Sequence, residues 1–348
     1  MKRTISTNLA KKSALFNVLA LAEAISLPVL LIGKPGVAKT AAVMDYAKAA
    51  KGGTLGNSDV FLLETDEGTR STAVKGNLDM KELTINKNYK IKSPIADAEF
   101  VIINEIDKAS PALRNSLLGV MNEKVIFNGE EKKSCIWNTF VATCNSIPED
   151  EKDSPFWDRF ALTFQVDRLR ESEMQEYFAN GGRSSLQDYV VNLPDAGQVE
   201  ANIKKLDGKK IKKVLDLVYD KLSDRTISYI PTLVANIMAV YVTSQDRAFI
   251  KAVELLVGKT EAGILAKSIM SKELRQLYDK VDMIASATND DAYRRIMKEV
   301  NDMGTALQQS GKLSPEDQAD ILARAEEAQD KLAFLSSESD EQDLLDRM

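Results

Sequence analysis

Apolar residues follow two rhythms along this chain. Between residues 27 and 166 they gather in short unbroken runs: Leu27-Pro28-Val29-Leu30-Leu31-Ile32, Val60–Leu63, Phe100–Ile103, Phe140–Thr143 and Leu162–Val166. Short apolar runs bounded by polar turns are the pattern of strands buried on both faces of a parallel sheet. Helical spacing fills the gaps, predicting helices over 39–50, 109–123 and 171–179. An amphipathic helix over 8–25 carries Leu9, Leu15, Leu19, Leu21 and Ile25 ahead of the first run. Such alternation predicts an α/β fold with crossover helices, in which ligands sit at the carboxyl ends of the strands. From about Arg170 onward the period is helical throughout, with Ile203–Lys221, Ile227–Val242, Arg247–Val257 and several segments after 260.

Two inserts interrupt the alternation. Residues 74–98 hold a short helical stretch, Leu78–Leu83, and the alternating pairs Tyr89, Ile91 and Lys90, Lys92. Residues 125–136 read as a hairpin with Asn128-Gly129 at its turn. Cys135 and Cys144 lie nine residues apart in what reads as one strand region, where an odd spacing would place them on opposite faces.

Composition narrows the chemistry. The 348 residues are 44% hydrophobic and 28% charged, the balance of a globular chain long enough for two or three domains. No run approaches the ~18 apolar residues of a membrane span, and no secretory leader pattern opens the chain. With two cysteines a disulfide framework is excluded, and cytoplasm is the expected compartment. Histidine is absent altogether. That removes imidazole acid–base catalysis and the commonest metal ligand, leaving carboxylates, Lys and Arg, which suits phosphoryl transfer. The net charge of −6 is uneven: Lys312 to Met348 holds eleven acids against four bases, so the remainder sits near +1. That tail reads as a solvated helix with a frayed end. The lysines around 204–213 alternate with Ile, Leu and Val and read as a solvated helix face.

The first apolar run leads directly into Gly33-Lys34-Pro35-Gly36-Val37-Ala38-Lys39-Thr40. A phosphate-binding loop needs inward backbone N–H groups, a lysine for the β/γ-phosphates and a hydroxyl for Mg²⁺. Lys39 and Thr40 supply the last two at a helix start, with Ala38 where the strict pattern has its second glycine. Gly258-Lys259-Thr260 repeats the ending, but Val253 stands five residues earlier and no strand-plus-glycine turn precedes it, so it reads as helix-end chemistry. The run at 100–103 ends in Asn104-Glu105, placing Glu105 to polarise an attacking water and Asn104 beside Mg²⁺. A strand end capped by polar residues facing solvent would look the same. Asn145 ends the run at 140 and would reach the same rim. Arg159 precedes the last run, and Arg225 opens a helix in the second domain. An arginine aimed at a γ-phosphate is worth on the order of 10³–10⁵ in rate.

In this order the pieces resemble the AAA+ ATPases, within them the MoxR group, and most closely its RavA branch. The resemblance rests on Gly33–Thr40 as Walker A and Ala98–Leu113 with Asn115–Leu118 and Met121–Glu123 as Walker B and its helix. Phe140–Asn145 looks like sensor 1, Trp157–Phe160 like the arginine-finger region, and Leu222–Arg225 like sensor 2. The inserts fall where that group carries its helix-2 insert and pre-sensor hairpin, and the likeness covers roughly residues 5–255. It implies a nucleotide-binding α/β domain over 1–169, an all-helical lid over 170–259, and a C-terminal helical extension over 260–348 outside the resemblance. It implies ATP and Mg²⁺, a homo-hexameric ring, and remodelling of a protein client, often with a von Willebrand factor A domain partner. By this analogy Arg159 acts in trans and Arg225 in cis. Asn104 departs from the family's aspartate. That leaves open a nucleotide-gated binding module with weak turnover. A DNA-associated motor or loader is disfavoured by the near-neutral body and acidic tail, although Lys132 and Lys133 on the hairpin could line a pore.

Overall fold

The computed structural model describes residues 1–78, 80–85, 91–128, 131–149, 154–169, 174, 186–284, 289–310 and scattered positions from 313 to 329. It divides into two compact units, Met1–Ala262 and Gly263–Met348. The helix expected over 171–179, the turn residue Gly129 and the acidic end beyond 330 fall outside the described residues, Met174 apart.

In the first unit the chain runs β1 (Lys2–Thr7), α1 (Ser13–Ile25), β2 (Val29–Ile32), α2 (Lys39–Ala50), β3 (Val60–Glu64) and α3 (Thr72–Lys75). Next come β4 (Asn77–Leu78), α4 (Met80–Ile85), β5 (Ile91–Lys92), β6 (Phe100–Asn104) and α5 (Pro111–Glu123). They are followed by β7 (Val125–Asn128), β8 (Glu131–Ser134), β9 (Thr139–Cys144), β10 (Leu162–Gln165) and β11 (Gln187–Asn192). Helices Ala196–Lys204, Gly208–Val218, Asp224–Val240 and Gln245–Val257 follow, and Lys259–Ile269 begins before the unit ends at Ala262. The five apolar runs form one parallel sheet in the order β10-β2-β9-β6-β3. All of β9 and nearly all of β2 and β6 are buried, as their continuous apolar character requires. β3 lies at an edge and is half exposed.

Helix starts and stops are legible in the local chemistry. α5 begins at Ser110, whose hydroxyl accepts from the Leu113 N–H, with Pro111 next; it ends at Lys124 in the left-handed conformation. Gly258 caps Gln245–Val257 with φ 110°, as a helix end should. Lys259 and Thr260 open the next helix, Lys259–Ile269, so the second Gly-Lys-Thr joins a helix end to a helix start, with a helix rather than a strand before it. The stretch expected as one helix over 203–221 is two, because Asp207 caps a new start through the Lys209 N–H, 2.8 Å away. The insert helix lies two residues later than its sequence spacing suggests, since Leu78 pairs with Ile91 across β4 and β5. Sequence reading missed β1 and β11, which pair antiparallel from Lys2↔Asn192 to Thr7↔Gln187. β1 buries only Ile5 and Thr7, so it carries no apolar run to betray it.

The main core lies between the sheet and α5, with Val101, Ile103, Leu113, Leu117, Trp137 and Phe140 fully enclosed. Within the second unit, Lys272–Ile284 and Asp290–Gln309 bury Leu277, Val281, Ile284, Ile296 and Val300 in a core of their own. No single helix among the described residues is long and apolar enough to cross a membrane.

The cysteines require a correction. Cys135 follows β8 and Cys144 ends β9, so they do not share a strand; both are free and buried. Burial pushes the Cys135 thiol up to about 11 and the Cys144 thiol up to about 12. Neither should be alkylated by iodoacetamide at pH 8 in the folded chain, because the thiolate is the nucleophile. Mass spectrometry should show both labelled only after denaturation.

Candidate functional site

At the carboxyl end of β2 the backbone turns through Gly33 to the start of α2. A Cβ on Gly33 would stand 2.5 Å from the Val166 carbonyl oxygen, so the chain leaving β10 can pass this close only to glycine. Gly36 has φ 82°. Ala38 also has a left-handed backbone, φ 61°, at the N-cap of α2 and makes no side-chain cap bond. The first turn of α2 holds no acidic residue, so its free N–H groups and helix dipole face an anion without competition. Lys39 folds back over this loop, its Nζ donating to the carbonyls of Gly33 and Lys34. Its pKa is lowered, chiefly by burial, against the opposing pull of Cys144, Asp107 and Glu105.

Asn104 and Glu105 end the neighbouring β6. The Thr40 hydroxyl donates to Asn104 Oδ1 at 2.7 Å, and the Thr143 hydroxyl donates to the same oxygen. On its other side Asn104 Nδ2 donates to Glu64 Oε2 at 2.7 Å. Glu105 sits in the left-handed region, φ 56°, a conformation that costs a non-glycine residue of order 1–3 kcal/mol. Its turn is held by the Glu105 N–H to Thr143 Oγ1, and by the buried Thr65 hydroxyl between the Asn104 and Glu105 carbonyls. The Glu105 carboxylate pairs with Lys108 at 2.7 Å. Asp107 Oδ1 is buried without a hydrogen-bond partner in this structure. A cavity of about 230 Å³ is lined by residues 35–41, Asn104, Glu105, Thr143, Cys144 and Asn145. The structure therefore brings together Gly33–Thr40, Asn104, Glu105 and Asn145, as their places at strand ends predict.

The two arginines are elsewhere. Arg159 and Arg225 line a separate cavity of about 270 Å³ with Ser26, Pro28, Asn122 and Lys124. Arg225 Nη1 donates to Asn122 Oδ1 at 2.7 Å. Ser26–Pro28 precede β2, Arg159 precedes β10, and Asn122 ends the returning helix α5. All of them therefore belong to the amino end of the sheet, whereas the phosphate loop follows its carboxyl end. Arg225, expected to serve the loop of its own chain in cis, thus lines a different cavity from that loop in this structure. Arg159 Nε is buried with no hydrogen-bond partner, and Nη1 is 4.0 Å from Asp158.

A protein-family model described as the MoxR domain in the MoxR-vWA-beta-propeller ternary systems matches residues 1–206, more than half of the chain. The chain belongs to this MoxR family. Similar curated proteins include two uncharacterized proteins of Methanocaldococcus jannaschii. One is 26% identical over 196 residues, covering 56% of this chain and 50% of the relative; the other is 23% identical over 286 residues, covering 77% and 73%. This chain thus spans about half the length of the first of them. Among solved structures, a candidate ATPase from Cytophaga hutchinsonii is 16% identical with a TM-score of 0.46, covering 74% of this chain and 81% of that one.

Several residues of the MoxR site escape a reading by motif. Thr143 sits inside an apolar run, and Glu64 closes the strand Val-Phe-Leu-Leu-Glu; the only signal was a polar residue at a strand end. Arg114 is buried over the rings of Phe156 and Trp157, at 5.6 and 5.3 Å, while its Nη2 donates to the Asp107 carbonyl at 2.8 Å. It thereby ties the turn after Glu105 to the aromatic cluster before Arg159.

A left-handed alanine costs ~1–2 kcal/mol, more than the ~0.5–1 kcal/mol entropic cost of glycine. Ala38→Gly should therefore raise the folding stability of the first unit by about 0.5–1 kcal/mol, read as a small rise in melting temperature. A fall would show that the alanine methyl contributes packing that outweighs the backbone strain.

Proposed function

We propose that this MoxR chain is an AAA+ ATPase that binds ATP with Mg²⁺ at the carboxyl ends of β2, β6 and β9 and hydrolyses it between subunits of a homo-hexameric ring. The observation that carries this reading is the division of labour between the two ends of the sheet. Lys39, Thr40, Asn104, Glu105 and Asn145 converge on one cavity, and Arg159 and Arg225 on another at the opposite end. Each half lacks what the other holds, which is the arrangement expected when a neighbouring copy completes the site.

The residues present suit the nucleotide. Lys39 exchanges the loop carbonyls of Gly33 and Lys34 for phosphate oxygens, and the α2 N–H groups cradle the same anion. Thr40 and the Asn104 amide oxygen are the groups that would hold Mg²⁺, and the unpartnered Asp107 oxygen adds negative charge nearby. Mg²⁺, when bound, neutralises charge on the β- and γ-phosphates. Glu105 polarises the attacking water once its carboxylate leaves Lys108, and Asn145 orients that water. Arg159 and Arg225 of the adjoining subunit stabilise the charge of the transition state.

The family's description names ternary systems containing a von Willebrand factor A domain. A protein carrying that domain is the proposed partner, and remodelling of a protein client in the cytoplasm the proposed task. A DNA-associated role has less support, because the hairpin Lys133 pairs with Asp97 at 2.8 Å and the neighbouring Lys132 lies over Phe127.

Phosphate release from Mg²⁺-ATP tests the reading. Lys39→Ala should abolish nucleotide binding; Glu105→Gln should keep binding and abolish release. Arg225→Ala should cut release on the order of 10³-fold with binding retained. Mixing Arg225→Ala with Lys39→Ala chains should restore part of the activity, because an intact arginine then meets an intact loop; no recovery would reject action in trans.

A second reading is favoured by Asn104, which lacks the charge of an aspartate: a nucleotide-gated assembly module that barely turns over. Rings that form with ATP yet release no measurable phosphate would decide for it.

A further inference from the structure

We propose that Glu64 is a positioning residue for the Mg²⁺ side of the phosphate site, acting through Asn104. It orients the amide and returns to the site the negative charge that an amide at 104 lacks. The inference rests on the nucleotide reading above.

β3 and β6 run parallel with Glu64 and Asn104 as register partners, the last residues of their strands. Their side chains meet through Asn104 Nδ2 and Glu64 Oε2 at 2.7 Å. An ionised carboxylate only accepts hydrogen bonds, so the amide must turn its nitrogen toward Glu64 and its oxygen toward α2. The two lone pairs of that oxygen receive the hydroxyls of Thr40 and Thr143. Reversing the amide would set its oxygen against the Glu64 carboxylate, losing that bond, and would oblige the Thr40 and Thr143 hydroxyls to turn from donors into acceptors. Glu64 thus selects which end of Asn104 faces Thr40, the hydroxyl that the loop offers to Mg²⁺.

The same contact suits an amide at 104. An aspartate here would put two carboxylates at hydrogen-bond distance, and like charges that close cannot both ionise. Asn104 and Glu64 therefore form one unit, with the negative charge on β3 and, on β6, the oxygen that holds the Thr40 hydroxyl offered to the ion. The charge-assisted bond between them also leaves the amide oxygen more negative than that of a solvated asparagine. Glu64 lies on the exposed edge strand, so its replacement leaves the core untouched.

The affinity of a fluorescent ADP analogue, measured on the full chain with Mg²⁺ and again in EDTA, reads this arrangement directly. Glu64→Gln keeps an acceptor for Asn104 and removes only the charge. It should reduce the Mg²⁺-dependent gain in affinity about tenfold, the lower end of the range for groups that support a metal ligand, and leave the affinity in EDTA unchanged. In an Asn104→Asp background the same substitution should act in the opposite sense, raising the Mg²⁺-dependent gain by relieving the carboxylate pair. Loss in both backgrounds would mark Glu64 as merely structural and overturn the proposal, as would a wild-type gain within twofold of that of Glu64→Gln. A wild-type chain that binds no nucleotide in either condition would overturn both this inference and the nucleotide reading. A wild-type chain whose nucleotide affinity rises with Mg²⁺ regardless of Glu64 would overturn this inference alone.

Discussion

The register of the inner parallel strands is the constraint on which the rest of the molecule depends. β10, β2, β9, β6 and β3 pair in one parallel ladder, and the ladder continues past the strands into the loops. Gly33 N–H reaches the Cys144 carbonyl, Val166 N–H the Ile32 carbonyl, and Thr65 N–H the Asn104 carbonyl, at 2.7–3.2 Å. Strand side chains alternate faces, so a slip of one residue would reverse them all. Asn104 would lose Thr40, Thr143 and Glu64 together. Burial of β2, β6 and β9 on both sides makes such a slip prohibitive, and the polar groups at their ends inherit that precision.

On this frame the site stores backbone strain. Ala38 and Glu105 both take left-handed conformations, one at the start of α2 and one at the end of β6. Each aims a functional group: the first turns the N–H groups of α2 toward the cavity, the second swings the Glu105 side chain out of the strand line. Strain of this kind persists only where neighbours over-determine it. Thr65 and Thr143 do so for Glu105 through three hydrogen bonds, and Arg114 anchors the turn that follows. These supporting residues are not themselves reactive, yet they connect the cavity to the aromatic cluster of Phe156, Trp157 and Phe160.

A parallel sheet with returning helices also separates charge. Strand ends and helix starts meet on one side; strand starts and helix ends meet on the other. Lys39 belongs to the first side, and Arg159, Arg225 and Lys124 to the second. Within one chain the two sets therefore line separate cavities at opposite ends of the same sheet. Burial lowers the pKa of both Lys39 and Lys124, so each end presents a partly desolvated cation where attraction to an anion is strongest.

The amino-acid order by itself determined which segments form the sheet and where the phosphate loop lies. Apolar runs of buried-strand type, a glycine turn and a Lys-Thr helix start are local features, set by side-chain size, hydrophobicity and backbone freedom. Asn104, Glu105 and Asn145 were legible for the same reason, being polar residues at the ends of such runs. β1 and β11 were not, because a polar strand held by a distant partner carries no periodic signature. Nor was the pairing of Glu64 with Asn104, 40 residues apart, or the placement of Arg225 in a different cavity from the phosphate loop. Strand order, register and the end of the sheet at which a side chain emerges arise from contacts between remote segments. Only the folded chain decides them, since the free energy that selects them comes from burial of the whole sheet rather than from any one stretch of residues.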